Sequence, residues 1–298
     1  MQEIFGGVEA GGTKFVCGIG TMEKGVFDEE RFATTSPRQT LVRAIQYFEK
    51  QSIRHEIRAI GVGSFGPVDL HKHSPTYGFI THTPKSGWSN TNIVGELEKS
   101  LKIPVFFDTD VNAAALGEHV NGAALGIENF IYLTVGTGIG GGGMINGRPV
   151  HGQAHPEMGH IRIPHDFTTD PFEGICPYHG DCLEGLASGE AIKSRWGTRA
   201  DLLPDNHPAW NLEGEYLAMA VVNYICSLSP EKIIIGGGIM QRTQLFDLIR
   251  GEVKTLMNNY ALPAQILDNL ENYIVPPVLR KQAGLFGAIA LAQLGFEH

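Results

Sequence analysis

Short runs of β-branched and aromatic residues alternate along the chain with stretches whose apolar positions recur at helical spacing. The runs near 4–19, 57–63, 103–107, 130–150 and Lys232–Ile235 predict strands. Ser36-Pro37-Arg38-Gln39 predicts a helix start, with a capping serine, a first-turn proline and a capping-box glutamine. Leu41, Ile45 and Phe48 supply its apolar face, and Leu212–Leu228 predicts a second, largely apolar helix. Alternating strands and helices predict an α/β fold. The sequence strand, Gly/Thr turn, strand occurs near 4–19 and again near 130–150, which predicts an internal duplication.

Length and composition narrow the classes. At 298 residues the chain suits two domains, on a prior of roughly 150 residues each. The division expected is 1–115, completed by a C-terminal helix near 284–298, and a larger domain over 116–283. A hydrophobic share of 42% excludes general disorder. A net charge of −9 argues against a nucleic-acid or anionic-membrane surface. No apolar run approaches the roughly 20 residues of a membrane span, and Met1-Gln2-Glu3 lacks a signal-peptide start. Four cysteines are too few for a secreted disulfide framework, so a cytoplasmic protein without membrane or nucleic-acid partners is expected.

Glycine is the outlier, 38 residues where about 7% is ordinary. The clusters lie in 6–15, 59–67, 133–144, 233–240 and 283–288, and four of them directly follow a strand-like run. Glycine there lets backbone N–H groups approach a ligand closely. Gly136–Gly141 matches G-x-G-x-x-G literally, yet a dinucleotide site needs a helix to begin within the glycines. Here Asn146-Gly147, a hairpin signal, follows, and the chain turns from strand to strand. A nicotinamide site fails on that context, and the P-loop motif G-x-x-x-x-G-K-[ST] does not occur. A Gly/Thr hairpin remains a good anion cradle.

Three groups carry candidate chemistry. Asp110 follows the strand-like Pro104–Asp108 and precedes the helix-like Ala113–Glu118, at the end of a strand where α/β proteins bind ligands. The plain alternative is a helix cap shared with Asp108, Thr109 and Asn112. Cys176-x₂-His179-x₂-Cys182 lacks one ligand of a tetrahedral zinc site, which His160 can supply, with His155 and His165 as competitors. Four protein ligands would make one structural Zn, because no position is open to water. Cys17 and Cys226 are expected in the core, the apolar or turn contexts of Trp88, Trp196 and Trp210 explain them as packing, and Lys14 suits a phosphate contact or a surface charge equally.

These residues resemble the ROK family of bacterial sugar kinases, and within it the zinc-containing fructokinases. Glu9–Lys14 and Leu133–Gly143 resemble its two phosphate motifs, Asp108–Glu118 its catalytic segment, and Pro156–His160 with Cys176–Glu184 its zinc and sugar motifs. Glu9 stands where the family usually has Asp, and Thr109 where many members have Asn; the threonine fits the fructokinase branch better than the glucokinase branch. The resemblance implies the two-domain sugar kinase/Hsp70/actin-like (ribonuclease H-like) α/β fold, with an interdomain cleft and a zinc loop over 155–185. It implies Mg-ATP bound by Gly11, Gly12, Thr13, Thr134, Gly136, Thr137, Gly138, Glu190, Gly236, Gly237, Gly238, Ile239 and Met240. A hexose would be held by Ser64, Asn90, Thr109, Asp110, Glu157, His160 and Glu184, with Asp110 as general base. Zinc on His160, Cys176, His179 and Cys182 would order the sugar side without touching the phosphates.

The expected activity is phosphorylation of fructose, or of mannose, glucose or N-acetylmannosamine, at the 6-hydroxyl, by a homodimer. The family also contains sugar-responsive repressors. Those carry a DNA-binding domain ahead of the first phosphate motif, which here begins within ten residues of Met1. A catalytically silent sugar sensor would not need Asp110 and both Gly/Thr turns.

Overall fold

The computed structural model describes residues 3–297; Met1, Gln2 and His298, the outermost residues of the expected domains, lie outside the described residues. The chain forms two compact units, one of Met1–Gly126, Arg148–Pro156 and Val278–His298, the other of Ile127–Gly147 and Glu157–Pro277. A division at 115/116 would fall inside the helix Asp110–Asn121, whose residues Val111 to Glu118 are all buried, and the helix stays whole in the first unit. Residues 148–156 also belong to the first unit, which divides the 155–185 segment.

In the first unit the strands lie in the order Gly25–Ala33, Lys14–Thr21, Ile4–Ala10, Ile57–Ser64, Val105–Thr109. The first three form antiparallel pairs and the last three parallel ones. The last strand begins at Val105, two residues later than the apolar run suggests. In the second unit Phe130–Val135 pairs antiparallel with Ile139–Ile145 and parallel with Lys232–Gly236, which pairs parallel with Ile274–Val275. Both sheets thus follow one plan: a hairpin with a Gly/Thr turn, then parallel strands laid beside its first strand.

Local chemistry explains the helix ends. Pro37 begins the helix Pro37–Ser52, but the Ser36 side chain makes no capping bond, so the expected capping box is absent. The Thr40 hydroxyl instead accepts the Thr35 N–H at 3.0 Å. The large apolar helix begins at Ala209, three residues earlier than expected. Trp210 anchors that start, fully buried and donating its indole N–H to Pro204 O at 2.8 Å. Cys226 falls on the exposed face of this helix, which corrects its expected core position; Cys17 is buried.

The C-terminal helix Ala283–Glu297 packs on the first sheet and on Asp110–Asn121. Its approach requires glycine: a Cβ at Gly61 would collide with Ala288 O, and one at Gly287 with Ala113 O. Gly61 and Gly287 therefore let helix meet sheet and helix meet helix. No helix among the described residues is long and apolar enough to cross a membrane.

Candidate active site and metal centre

Register builds the first half of the site. Ala10 lies opposite Ser64, and Ser64 opposite Thr109, so three parallel strands end level. The turn Gly11-Gly12-Thr13, the Ser64 strand end and Asp110 therefore share one edge of the sheet. The turn is closed by Gly11 N–H on Lys14 O at 3.0 Å, and Thr34 holds it by donating its hydroxyl to Gly11 O at 2.7 Å. Lys14 sits 3.6 Å from Glu9, whose carboxyl burial raises above the usual range while Lys14 opposes that rise.

Asp110 opens its helix without being the cap. Thr109 is the cap, its hydroxyl accepting Asn112 N–H at 3.1 Å, and Asp110 Oδ1 accepts Val111 N–H at 2.9 Å. Asp110 is partly exposed, whereas Thr109 and Ser64 are buried. The Ser64 hydroxyl donates to Phe65 O at 2.9 Å, so both hydroxyls expected on a sugar have partners within the protein. Asn90 is exposed, at φ 58°.

In the second unit Thr134 lies opposite Gly236, which sets the turns 136–138 and 236–238 side by side at the ends of parallel strands. The helix Gly189–Trp196 starts against the first of these, with Gly189 N–H on Gly136 O at 2.7 Å and Glu190 N–H on Thr137 O at 3.4 Å. The Glu190 side chain turns outward to Lys193, and Ile239 and Met240 bury their side chains in the core.

His160, Cys176, His179 and Cys182 converge, one ligand atom from each lying within 4.8 Å of all the others. The loop closes on itself through Cys176 N–H to Gly180 O at 3.1 Å and Gly180 N–H to Cys176 O at 2.9 Å. Leu183 N–H bonds Ile161 O at 3.0 Å and so brings His160 alongside Cys182. His160 Nδ1 is 3.6 Å from Cys176 Sγ and 3.5 Å from Cys182 Sγ; His179 Nδ1 is 3.6 Å from Cys176 Sγ. Burial pushes the Cys182 thiol up to about 11, so its thiolate needs a cation beside it. This cluster could hold a metal ion. The competing histidines are engaged elsewhere: His155 Nε2 accepts Val68 N–H at 3.1 Å, and His165 Nε2 is 3.0 Å from Asp170 O.

Glu184 joins this centre to the Gly/Thr turn. One oxygen accepts Ile139 N–H at 2.9 Å, and the other is 3.9 Å from His160 Nε2. Glu157 stands exposed three residues before His160. Two groups in the first unit escape sequence reasoning. Asp108, two residues before Asp110, is 3% exposed and meets His151 Nε2 at 2.9 Å. Glu118 is fully buried and accepts three backbone N–H groups. The spacing of Asp108 and Asn112 on one helix start was a visible hint of the first; nothing local signals His151 or the partners of Glu118.

Comparison with known proteins follows the same lines. The ROK family profile matches residues 5–294. The chain is 49% identical over 294 residues to a provisionally named fructokinase of Bacillus subtilis, covering 99% of this chain and 97% of that one. It is 44% identical over 282 residues to the fructokinase of Lactococcus lactis subsp. cremoris, covering 94% and 93%. The crystal structure of the ROK hexokinase from Thermus thermophilus matches with a TM-score of 0.80 at 25% identity, over 100% of this chain and 99% of that one. The chain has the two-domain sugar kinase fold and belongs to the ROK family.

Proposed function

We propose that the chain is an ATP-dependent hexose kinase that phosphorylates D-fructose at its 6-hydroxyl. The observation that carries this reading is the level ending of three strands at Ala10, Ser64 and Thr109, which joins an anion-cradling turn and a partly exposed carboxylate on one sheet edge. Fructose as the sugar rests on the likeness to fructokinases.

Phosphoryl transfer asks for positioning, charge neutralisation and one proton acceptor. The 6-hydroxyl oxygen attacks the γ-phosphorus of Mg-ATP while Asp110 takes its proton. The bond from the γ-phosphorus to the bridging oxygen breaks, ADP leaves, and Asp110 returns the proton to water. N–H groups and hydroxyls of Gly11, Gly12, Thr13, Thr134, Gly136, Thr137 and Gly138 hold phosphates. Backbone at Gly236–Met240 and Glu190 flanks the adenosine. Ser64, Asn90, Thr109, Asp110, Glu157, His160 and Glu184 receive the sugar hydroxyls.

The metal of the His/Cys centre is zinc in this reading. Bonds of about 2.3 Å to sulfur and 2.0–2.1 Å to nitrogen, at a tetrahedral angle, separate the two donors by about 3.6 Å. The 3.5 and 3.6 Å separations fit. Bound there, zinc supplies structural order and no open coordination position. The chain works as a cytoplasmic homodimer on this reading, which sedimentation tests.

An ATP-dependent phosphorylation assay over fructose, mannose, glucose and N-acetylmannosamine tests the reading. Fructose should show the highest kcat/KM. Preference for another sugar overturns the substrate, and no transfer to any of the four overturns the kinase.

A further inference from the structure

Asp108 is a carboxylate that the reaction does not use, buried two residues from one that it does. It is 3% exposed, and a charge taken that far from water needs compensation. Its Oδ1 accepts Thr109 N–H at 2.7 Å and the Asn112 side-chain amide at 2.8 Å. His151 Nε2 lies 2.9 Å from Oδ2 and 3.2 Å from Oδ1, and 3.3 Å from Asn112 Nδ2. His151 comes from the 148–156 segment, which returns to the first unit after a passage through the second.

We propose that His151 is a positioning residue for Asp110, acting through Asp108. The Asp108 carboxylate grips the peptide that leads into Asp110 and the amide of Asn112, one turn up the same helix. Asp110 is thereby held between two fixed points: the Thr109 N–H behind it and the capped first turn ahead. His151 supplies a donor to Oδ2 that holds the Asp108 carboxylate in its orientation. Without it, Asp108 would be a buried carboxylate with neutral donors only, close in sequence to a second carboxylate that must stay ionised to accept a proton. The buried Oδ2 then lacks its His151 donor, and the carboxylate is free to swing away from Thr109 and Asn112.

The electrostatics agree with the geometry. The hydrogen bond to Asp108 raises the His151 pKa above its ordinary value against the lowering effect of burial, and the Asp108 charge adds to the rise. Two other titratable groups face the pair: His155, on the same segment as His151, and Tyr77, whose phenol is pushed up by burial and by the charges of Glu98 and Asp108.

This inference rests on Asp110 being the base, so the experiment carries a separate arm for that. Steady-state kinetics would compare His151→Ala, His151→Gln, Asp108→Asn and Asp110→Asn, each checked for folding by circular dichroism. His151→Ala should lower kcat by at least about tenfold while KM for ATP and sugar stay within about twofold, since misplacing a catalytic group chiefly slows turnover. His151→Gln retains a donor at the position of Nε2 and should recover most of that loss. A folded His151→Ala enzyme with kcat within about twofold of wild type, a loss confined to KM, or a glutamine variant no better than alanine overturns the proposal. If the alanine chain does not fold, Asp108→Asn takes its place under the same limits. Turnover surviving in Asp110→Asn overturns the reading of Asp110 itself, and the proposal with it.

Discussion

Glu184 accepts the backbone N–H of Ile139 at 2.9 Å, and its other oxygen faces His160 Nε2 at 3.9 Å. One carboxylate thus spans from a ligand of the His/Cys cluster to the turn read as holding phosphate. The sequence suggested that a metal would order the sugar side alone. The structure gives the cluster a path to the Gly136–Gly138 turn as well, because the N–H that Glu184 holds is the first after that turn.

If the cluster holds zinc as proposed, removing it should loosen the turn. Chelation should raise hydrogen exchange over 136–139 and raise KM for ATP along with that for the sugar. Glu184→Ala should speed the same exchange with the metal still bound, since it is not one of the four converging ligands. Metal content by mass spectrometry and exchange at Ile139 check both. Unchanged exchange in demonstrably metal-free protein would count against the link.

Asp110→Asn should cut kcat by about 10²–10⁴, the usual contribution of a general base. The amide keeps the shape and can still accept the Val111 N–H that Asp110 Oδ1 takes at 2.9 Å. Stability and sugar affinity should accordingly stay near wild type, which calorimetry and melting curves would show. A large loss of sugar binding would mean that the carboxylate holds substrate more than it activates it.

What was legible in the sequence is what is local. The Gly/Thr turns could be read because each interrupts two strand-like runs within a few residues. Cys176, His179 and Cys182 could be read because a tight loop needs no distant partner. The turn glycines resisted a single meaning: Gly136 and Gly138 form a hairpin, whereas Gly61 and Gly287 admit a helix against a sheet and a second helix. That distinction depends on which surface packs over them, and the packing helix lies over two hundred residues from Gly61. The hydroxyls of Ser64 and Thr109 meet backbone groups one and three residues further on, contacts as local as the turns themselves. The pairing of Asp108 with His151 spans 43 residues and two crossings between units, so no periodicity announces it.

Glu118 is a stability determinant of the first unit. Its carboxylate accepts N–H groups of Ala123 at 2.6 Å, Val278 at 3.0 Å and Leu279 at 2.8 Å, tying the approach to the C-terminal helix onto the Asp110–Asn121 helix. Glu118→Ala removes the acceptor of three N–H groups and should destabilise the protein by about 3 kcal/mol or more. Glu118→Gln, with one carbonyl oxygen remaining, should lose less. Chemical denaturation of the three proteins measures the order, and an alanine variant as stable as wild type would contradict it.

Glu213 should make stability fall as pH rises. It is buried in the Ala209–Leu228 helix, and its Oε1 has no hydrogen-bond partner among the described residues. Burial pushes its carboxyl well above the ordinary carboxylate range, with Arg195 only partly opposing. Arg195 is itself committed, 3.1 Å from Asp170 and donating to Leu186 O at 2.8 Å. The folded chain therefore holds a proton that the unfolded chain has already released. Between the ordinary carboxylate value and the raised folded one, the unfolded state binds fewer protons, and stability declines with each step in pH. Glu213→Gln mimics the protonated side chain at every pH and should remove that slope. Its melting temperature should match wild type near pH 5 and exceed it near pH 8 by about 2–4 °C for each kcal/mol recovered. Parallel slopes for the two proteins between pH 5 and 8 would show that Glu213 does not hold a proton in the fold.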